Sequence, residues 1–125
     1  MQRANVAPLK GDDGVVSTTT DAVKFLRGLM EGHLLKDSSL KMMQQWVTNK
    51  EGKPVYGLGL IHFVHEGKIA YGHGGGGLGA GCMLAYFPEQ KLYFFIATNT
   101  GVVIDGRGGS KADAAKNEIL EILLK

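Results

Sequence analysis

The stretch of this chain best suited to chemistry is Tyr71-Gly72-His73-Gly74-Gly75-Gly76-Gly77-Leu78-Gly79-Ala80-Gly81. It sets a single histidine among glycines, where one apolar strand ends and another begins. Glycines let backbone N–H groups come close to a bound group and permit dihedrals that other residues avoid. A backbone donor aimed at a carbonyl oxygen is what an acyl-transfer site needs to hold a developing oxyanion. No convincing nucleophile and base stand beside the run. It reads as half of an active site.

Two motif matches inside the run fail on context. Gly74-x-Gly76-x-x-Gly79 spells a dinucleotide fingerprint, but it leads into Cys82-Met83-Leu84-Ala85-Tyr86-Phe87-Pro88, a strand stopped by proline rather than a helix. No acidic residue closes a second strand about twenty positions later, as that fingerprint requires. His73-Gly74-Gly75-Gly76 also copies the oxyanion motif of some α/β-hydrolase esterases. That fold needs a serine elbow between a strand and a helix, and Gly108-Gly109-Ser110-Lys111-Ala112 is only a near miss. Ser110 is better explained as a helix cap.

Other reactive side chains have plainer readings. His62-x-x-His65 in a strand points its two rings to opposite faces, so a shared metal is not expected. Cys82 opens an apolar strand without a basic neighbour in sequence and reads as an inert small hydrophobe. Met42, Met43 and Trp46 read as core rather than a ligand platform. Lys111, Lys116 and Lys125 read as a solvated face.

The elements that must position the glycine run follow from periodicity. Residues 1–16 carry Pro8, Gly11 and Gly14 without a period and are expected to form an arm or loop ahead of one domain over 17–125. Thr18 to Asp21 fits a capping box, and Val23, Leu26 and Met30, flanked by Phe25 and Leu29, recur at helical spacing until Gly32. A short second helix is predicted from Asp37, with Leu40, Met43 and Trp46-Val47 on one face. Asn49 to Pro54 reads as a polar linker.

Beyond it the period shortens. Val55–Val64 and Lys68–Tyr71 form a hairpin across Glu66-Gly67, and Gly81–Phe87 and Lys91–Thr98 form another across Pro88-Glu89-Gln90. The glycine run between them reads as a loop. Ser110 and Asp113 match a second capping box, opening a terminal helix along Ala114-Ala115, Ile119-Leu120 and Leu123-Leu124. The fold class is α+β: an antiparallel sheet of about four strands, with two N-terminal helices and a C-terminal helix packed on it.

Composition removes several classes of function. The chain has 125 residues, 44% of them hydrophobic, and a net charge of +2. That charge, without a Lys/Arg run, argues for neither nucleic acid nor an acidic membrane as partner. With Cys82 as the only cysteine, an internal disulfide and a thiolate zinc site are excluded. No cofactor is expected. The N-terminus lacks the apolar block of a signal peptide, so a cytoplasmic location is expected if Met1 is the native start.

One family accounts for far more of the chain. Gly14-Val15-Val16-Ser17-Thr18-Thr19-Thr20-Asp21, Tyr56-Gly57-Leu58-Gly59, Gly72-His73-Gly74-Gly75, Gly79, Ala85-Tyr86-Phe87-Pro88-Glu89 and Ala97-Thr98-Asn99 follow in order. In this, residues 11–125 resemble the C-terminal portion of the serine β-lactamase and penicillin-binding-protein group, in the branch of class C β-lactamases, DD-peptidases and related esterases. The resemblance implies that His73-Gly74-Gly75 occupies that family's third catalytic motif. His73 would then lie beside the nucleophile, tuning the site's electrostatics or holding a substrate carboxylate. Gly76 would lend its N–H to the oxyanion hole, on an inner edge strand where substrate adds as an extra strand. Gly75 would leave space for the acyl group, with Gly74 and Gly77 beside it. Without the family pattern, His73 reads instead as a partly buried histidine hydrogen-bonded at a strand end.

The departures from the pattern bear on function. The family's nucleophile sits in a Ser-x-x-Lys helix far upstream, followed by Tyr-x-Asn or Tyr-x-Ser. Ser38-Ser39-Leu40-Lys41 spells the first, but in the segment that is a peripheral helix in this family, and neither second motif follows it. The expectation is therefore a catalytically incomplete C-terminal segment of a serine hydrolase, completed by an absent N-terminal half. The alternative is a free-standing binding or oligomerising module that kept the fold without the chemistry. Lys91–Thr98 would lack its N-terminal partner strand, leaving Leu92, Phe94 and Phe95 on an uncovered edge. A homodimer through that edge, or its covering by residues 1–16, is expected.

Overall fold

Thr18 starts the first helix. In the computed structural model, which describes residues 15–76, 80–100 and 106–125 (of 106–111 the backbone alone), its hydroxyl accepts the Asp21 N–H at 3.1 Å. The same hydroxyl donates to the Asp21 carboxylate at 2.9 Å, so the predicted capping pair forms. Helix α1 (Thr19–Met30) follows and buries Leu26 and Leu29, while Phe25 stays exposed. Gly32 closes it with a positive φ of 76°, a backbone state that glycine adopts without strain. The arm expected over residues 1–16 lies outside the described residues up to position 14.

Helix α2 (Asp37–Met43) is shorter than its apolar pattern suggests. Val47-Thr48 leaves the helix face and becomes strand β1 (Val47–Thr48), paired with β2 (Pro54–Tyr56). The reason is Asn49, whose side-chain oxygen accepts the N–H groups of Glu51 at 2.9 Å and Lys53 at 3.0 Å and so folds the supposed linker into a turn. The single apolar stretch 55–64 likewise splits in two. Gly57 donates its N–H to the Leu60 carbonyl and Leu58 to that of Met43, which breaks the strand before β3 (Ile61–His65). These splits give six strands rather than four.

Strand β4 (Lys68–Gly76) pairs with β3 through a tight turn at Glu66-Gly67, both with positive φ. Here the structure corrects the expected loop. The glycines through Gly76 belong to the strand, because backbone pairing with β5 (Gly81–Phe87) holds them without needing side chains. Strand β6 (Leu92–Thr98) ends an antiparallel sheet of order β1-β2-β3-β4-β5-β6.

Helix α3 (Gly106–Leu123) begins before the predicted cap. Ser110 therefore lies inside the helix, where there is no free first-turn N–H for it to satisfy. Its Leu120, and Leu124 just past its end, join Ala70, Met83, Ala85, Phe87 and Phe94 in the core. Helix α1 lies against β5 and β6. Its Arg27 and the Glu31 that caps it lie near Tyr93, which alternates with Phe94, so α1 and α3 cover opposite faces. The sheet is sandwiched between them over β5 and β6. Phe94 is buried beneath α3, so the expected apolar row is not uncovered along its whole length, and among the described residues no strand pairs with the outer side of β6.

Candidate functional site

Strand β4 outruns its neighbour. Its pairing with β3 stops at Ile61↔Gly72, whereas its pairing with β5 continues to Gly76↔Gly81. Residues 73–76 thus have a partner strand on one side only. The direction of their polar groups follows from the hairpin. A two-residue turn makes the flanking pair His65↔Lys68 a doubly hydrogen-bonded one, and bonded pairs recur every second residue. Lys68, Ala70 and Gly72 therefore turn their N–H groups toward β3. By the same alternation Gly74 and Gly76 turn theirs the same way, past the end of β3, where no strand among the described residues pairs with them.

Strand order thus makes β4 interior and only its last four residues an edge, which refines the expected inner edge strand. Glycine is required at one place in it. A Cβ on Gly72 would overlap the Leu84 carbonyl oxygen and come within 2.9 Å of the Ala85 Cα. On Gly75 a Cβ would meet the Cys82 sulfur at 2.9 Å, whereas on Gly74 the nearest atom, the Cys82 carbonyl oxygen, is 3.6 Å away.

His73 sits at the start of this open edge, and its side chain is exposed. Its Nδ1 lies 2.6 Å from the carbonyl oxygen of Gly74. A carbonyl can only accept, so Nδ1 carries the proton in that bond. In the neutral ring Nε2 is then the acceptor, and the Tyr56 hydroxyl donates to it at 3.1 Å. The two rings meet edge to face with centroids 5.9 Å apart. Both nitrogens of the imidazole are engaged.

Tyr56 is a neighbour of His73 that residue-type reasoning passes over. Its only signal was its place in Tyr56-Gly57-Leu58-Gly59. Gly57 has no room for a side chain, because a Cβ there would strike the Met43 carbonyl oxygen and approach the Trp46 ring to 3.1 Å. That close approach seats the end of β2 against α2. Trp46 in turn stacks on Tyr71 at 5.2 Å and meets His62 edge-on at 5.3 Å. Trp46 is thus half-buried packing as expected, but Met42 is exposed and does not join it.

The remaining candidates are dispersed. His62 lies opposite Tyr71 and His65 opposite Lys68, an odd separation that puts the rings on opposite faces as predicted. Among the described residues no three His, Cys, Asp or Glu side chains gather as for a metal ion. Cys82, read as an inert small hydrophobe, is exposed, because its cross-strand neighbour Gly75 offers it no side chain to pack on. Ser38 falls in the first turn of α2 and Ser110 within α3. Gly77 lies outside the described residues. A cleft of about 280 Å³ opens on the α3 side of the strand, bordered by Gly74, Gly76, Thr98 and the ion-paired Asp113 and Lys116.

The family profile for beta-lactamase matches residues 2–116. The chain belongs to the beta-lactamase family. No curated protein matches it. Among solved structures this β-lactamase-family chain is similar to a D-stereospecific amidohydrolase from Streptomyces sp., with 29% identity and a TM-score of 0.62. The likeness covers 77% of this chain but 29% of that one, so the chain spans less than a third of its relative's length.

Proposed function

We propose that this chain supplies one wall of a serine-hydrolase pocket, with the open edge of β4 as its oxyanion-binding and substrate-aligning strand. The observation that carries the reading is the four-residue overhang of β4 beyond β3, which leaves the Gly74 and Gly76 N–H groups without a strand partner among the described residues, next to His73. An extended acyl substrate can lay its backbone against such an edge as an added strand. Gly76 then donates to the carbonyl oxygen as it gains negative charge. Gly75 keeps the acyl side free of side-chain atoms. His73 borders the group under attack and shapes its electrostatic surroundings. The attacking serine and its lysine come from a part of the relatives' length that this chain does not span. The resemblance to a D-stereospecific amidohydrolase supports an amide flanked by a D-residue as the substrate class. The outer edge of β6 takes up a strand of that N-terminal half or, without it, a second copy of the chain.

The test is complementation. The portion of the amidohydrolase not covered by this chain is mixed with it, and hydrolysis of a D-aminoacyl p-nitroanilide is followed. Turnover is expected from the mixture and from neither part alone. Gly76→Pro removes one outward N–H, at an edge position where proline is tolerated, and should abolish turnover while the two parts still co-elute. Co-elution without any turnover from the unsubstituted chain would overturn the reading in favour of a binding module.

A further inference from the structure

The glycine run is held by backbone pairing, but its histidine is held by a residue from another strand. We propose that Tyr56 is the positioning residue of this site: it locks His73 as the Nδ1–H tautomer, with the ring folded back over the open edge of β4. For the neutral ring the geometry admits only one arrangement of protons. With the proton on Nε2, the Nδ1 lone pair would face the Gly74 carbonyl oxygen across 2.6 Å, acceptor against acceptor. With the proton on Nδ1, that contact becomes a hydrogen bond and Nε2 becomes free to accept. The group placed to satisfy it is the Tyr56 hydroxyl at 3.1 Å.

Both bonds are exposed to competing water, and the Gly74 bond joins only neighbouring residues of one strand. Tyr56 comes from seventeen residues away and is anchored independently, by the β2 pairing Val47↔Tyr56 and by Gly57 seated against α2. Its edge-to-face contact fixes the ring plane as well as the nitrogen. One consequence concerns the edge itself. The Gly74 carbonyl is already occupied, so a strand added there finds its free bonding groups at the two outward N–H groups and at Gly76. His73 thereby borders the site as an oriented ring with both nitrogens engaged.

The proposal rests on the functional reading for its purpose, but its test does not. In the ¹⁵N-labelled chain, long-range ¹H–¹⁵N spectra are recorded at about pH 8, above the ordinary histidine range near 6.5. His73→Gln identifies the His73 signals by their loss. The unsubstituted chain should show a protonated Nδ1 and an unprotonated Nε2. In Tyr56→Phe, which keeps the ring contact and loses only the donor, the Nε2–H share should rise several-fold, with an unchanged melting curve. Tyr56→Leu, which also removes the aromatic contact, should show at least as large a change. A wild-type ring protonated on Nε2 would overturn the assignment, as would a Tyr56→Phe spectrum identical to the parent. Failure of complementation with the Tyr56 effect intact would instead remove the functional reading alone.

Discussion

Two glycines two residues apart on β4 should respond in opposite ways to the same methyl group. Gly72 and Gly74 share a strand, a face and a partner strand, facing Ala85 and Met83. At Gly72 an added Cβ overlaps the Leu84 carbonyl oxygen and meets the Ala85 Cα at 2.9 Å. Both obstacles are backbone, and β5 is itself pinned by β6 along its whole length. Relief therefore requires β4 and β5 to part, so Gly72→Ala carries an overpacking penalty of about 2–3 kcal/mol. At Gly74 the nearest atom is 3.6 Å away, an ordinary contact. Gly74→Ala only reduces the freedom of the unfolded chain, a gain of up to about 0.5–1 kcal/mol. Urea unfolding followed by circular dichroism measures both. With a slope of about 2 kcal/mol per molar, the Gly72→Ala midpoint should fall by about 1–1.5 M, and the Gly74→Ala midpoint should hold or rise. The reasoning is refuted if Gly72→Ala unfolds with the parent, or if Gly74→Ala is equally damaging.

Three further outcomes follow from the packing and the charges. Leu120 is 1% exposed against the sheet and Ile122 is 69% exposed on the same helix, so Leu120→Ala should lose about 2–5 kcal/mol and Ile122→Ala under about 0.5 by urea midpoint. Gly75→Ala pushes against the Cys82 sulfur, which can be removed, so a double-mutant cycle with Cys82→Ala should show a coupling of about 0.5 kcal/mol or more, and additivity would contradict the contact. Burial first, then the neighbouring Tyr86 and Glu31, raise the Tyr93 phenol to about 12 from its ordinary 10.0. Because the folded state holds that proton more tightly, its contribution is complete below pH 10 and is lost as pH rises toward 12. Ultraviolet titration should show one tyrosine ionising last, and Tyr93→Phe should flatten the alkaline fall in stability.

Much of this architecture was legible in residue order, because it depends on neighbours along the chain. The Thr18 cap, the helix carrying Leu26 and Leu29, and the hairpins at Glu66-Gly67 and Pro88-Glu89-Gln90 are local patterns of period and turn chemistry. The ordered motifs around His73 were enough to point to the β-lactamase family. Misreadings arose where local composition and long-range pairing disagree. A run of glycines has no strand propensity, yet pairing with β5 draws it into β4 as far as Gly76. Ser110 has the spacing of a cap, yet the helix starts before it.

Where β3 ends relative to β4 could not be read from either strand alone, since register is a relation between two strands. That mismatch is what leaves Gly74 and Gly76 without a strand partner among the described residues, beside His73. The meeting of Tyr56 with His73 is of the same kind. It depends on Gly57 lying against the Met43 carbonyl and on β2 stopping where it does. Residue types alone named the histidine and its glycines. Contacts between distant segments settled which way their polar groups point, because direction in a sheet is set by the partner strand.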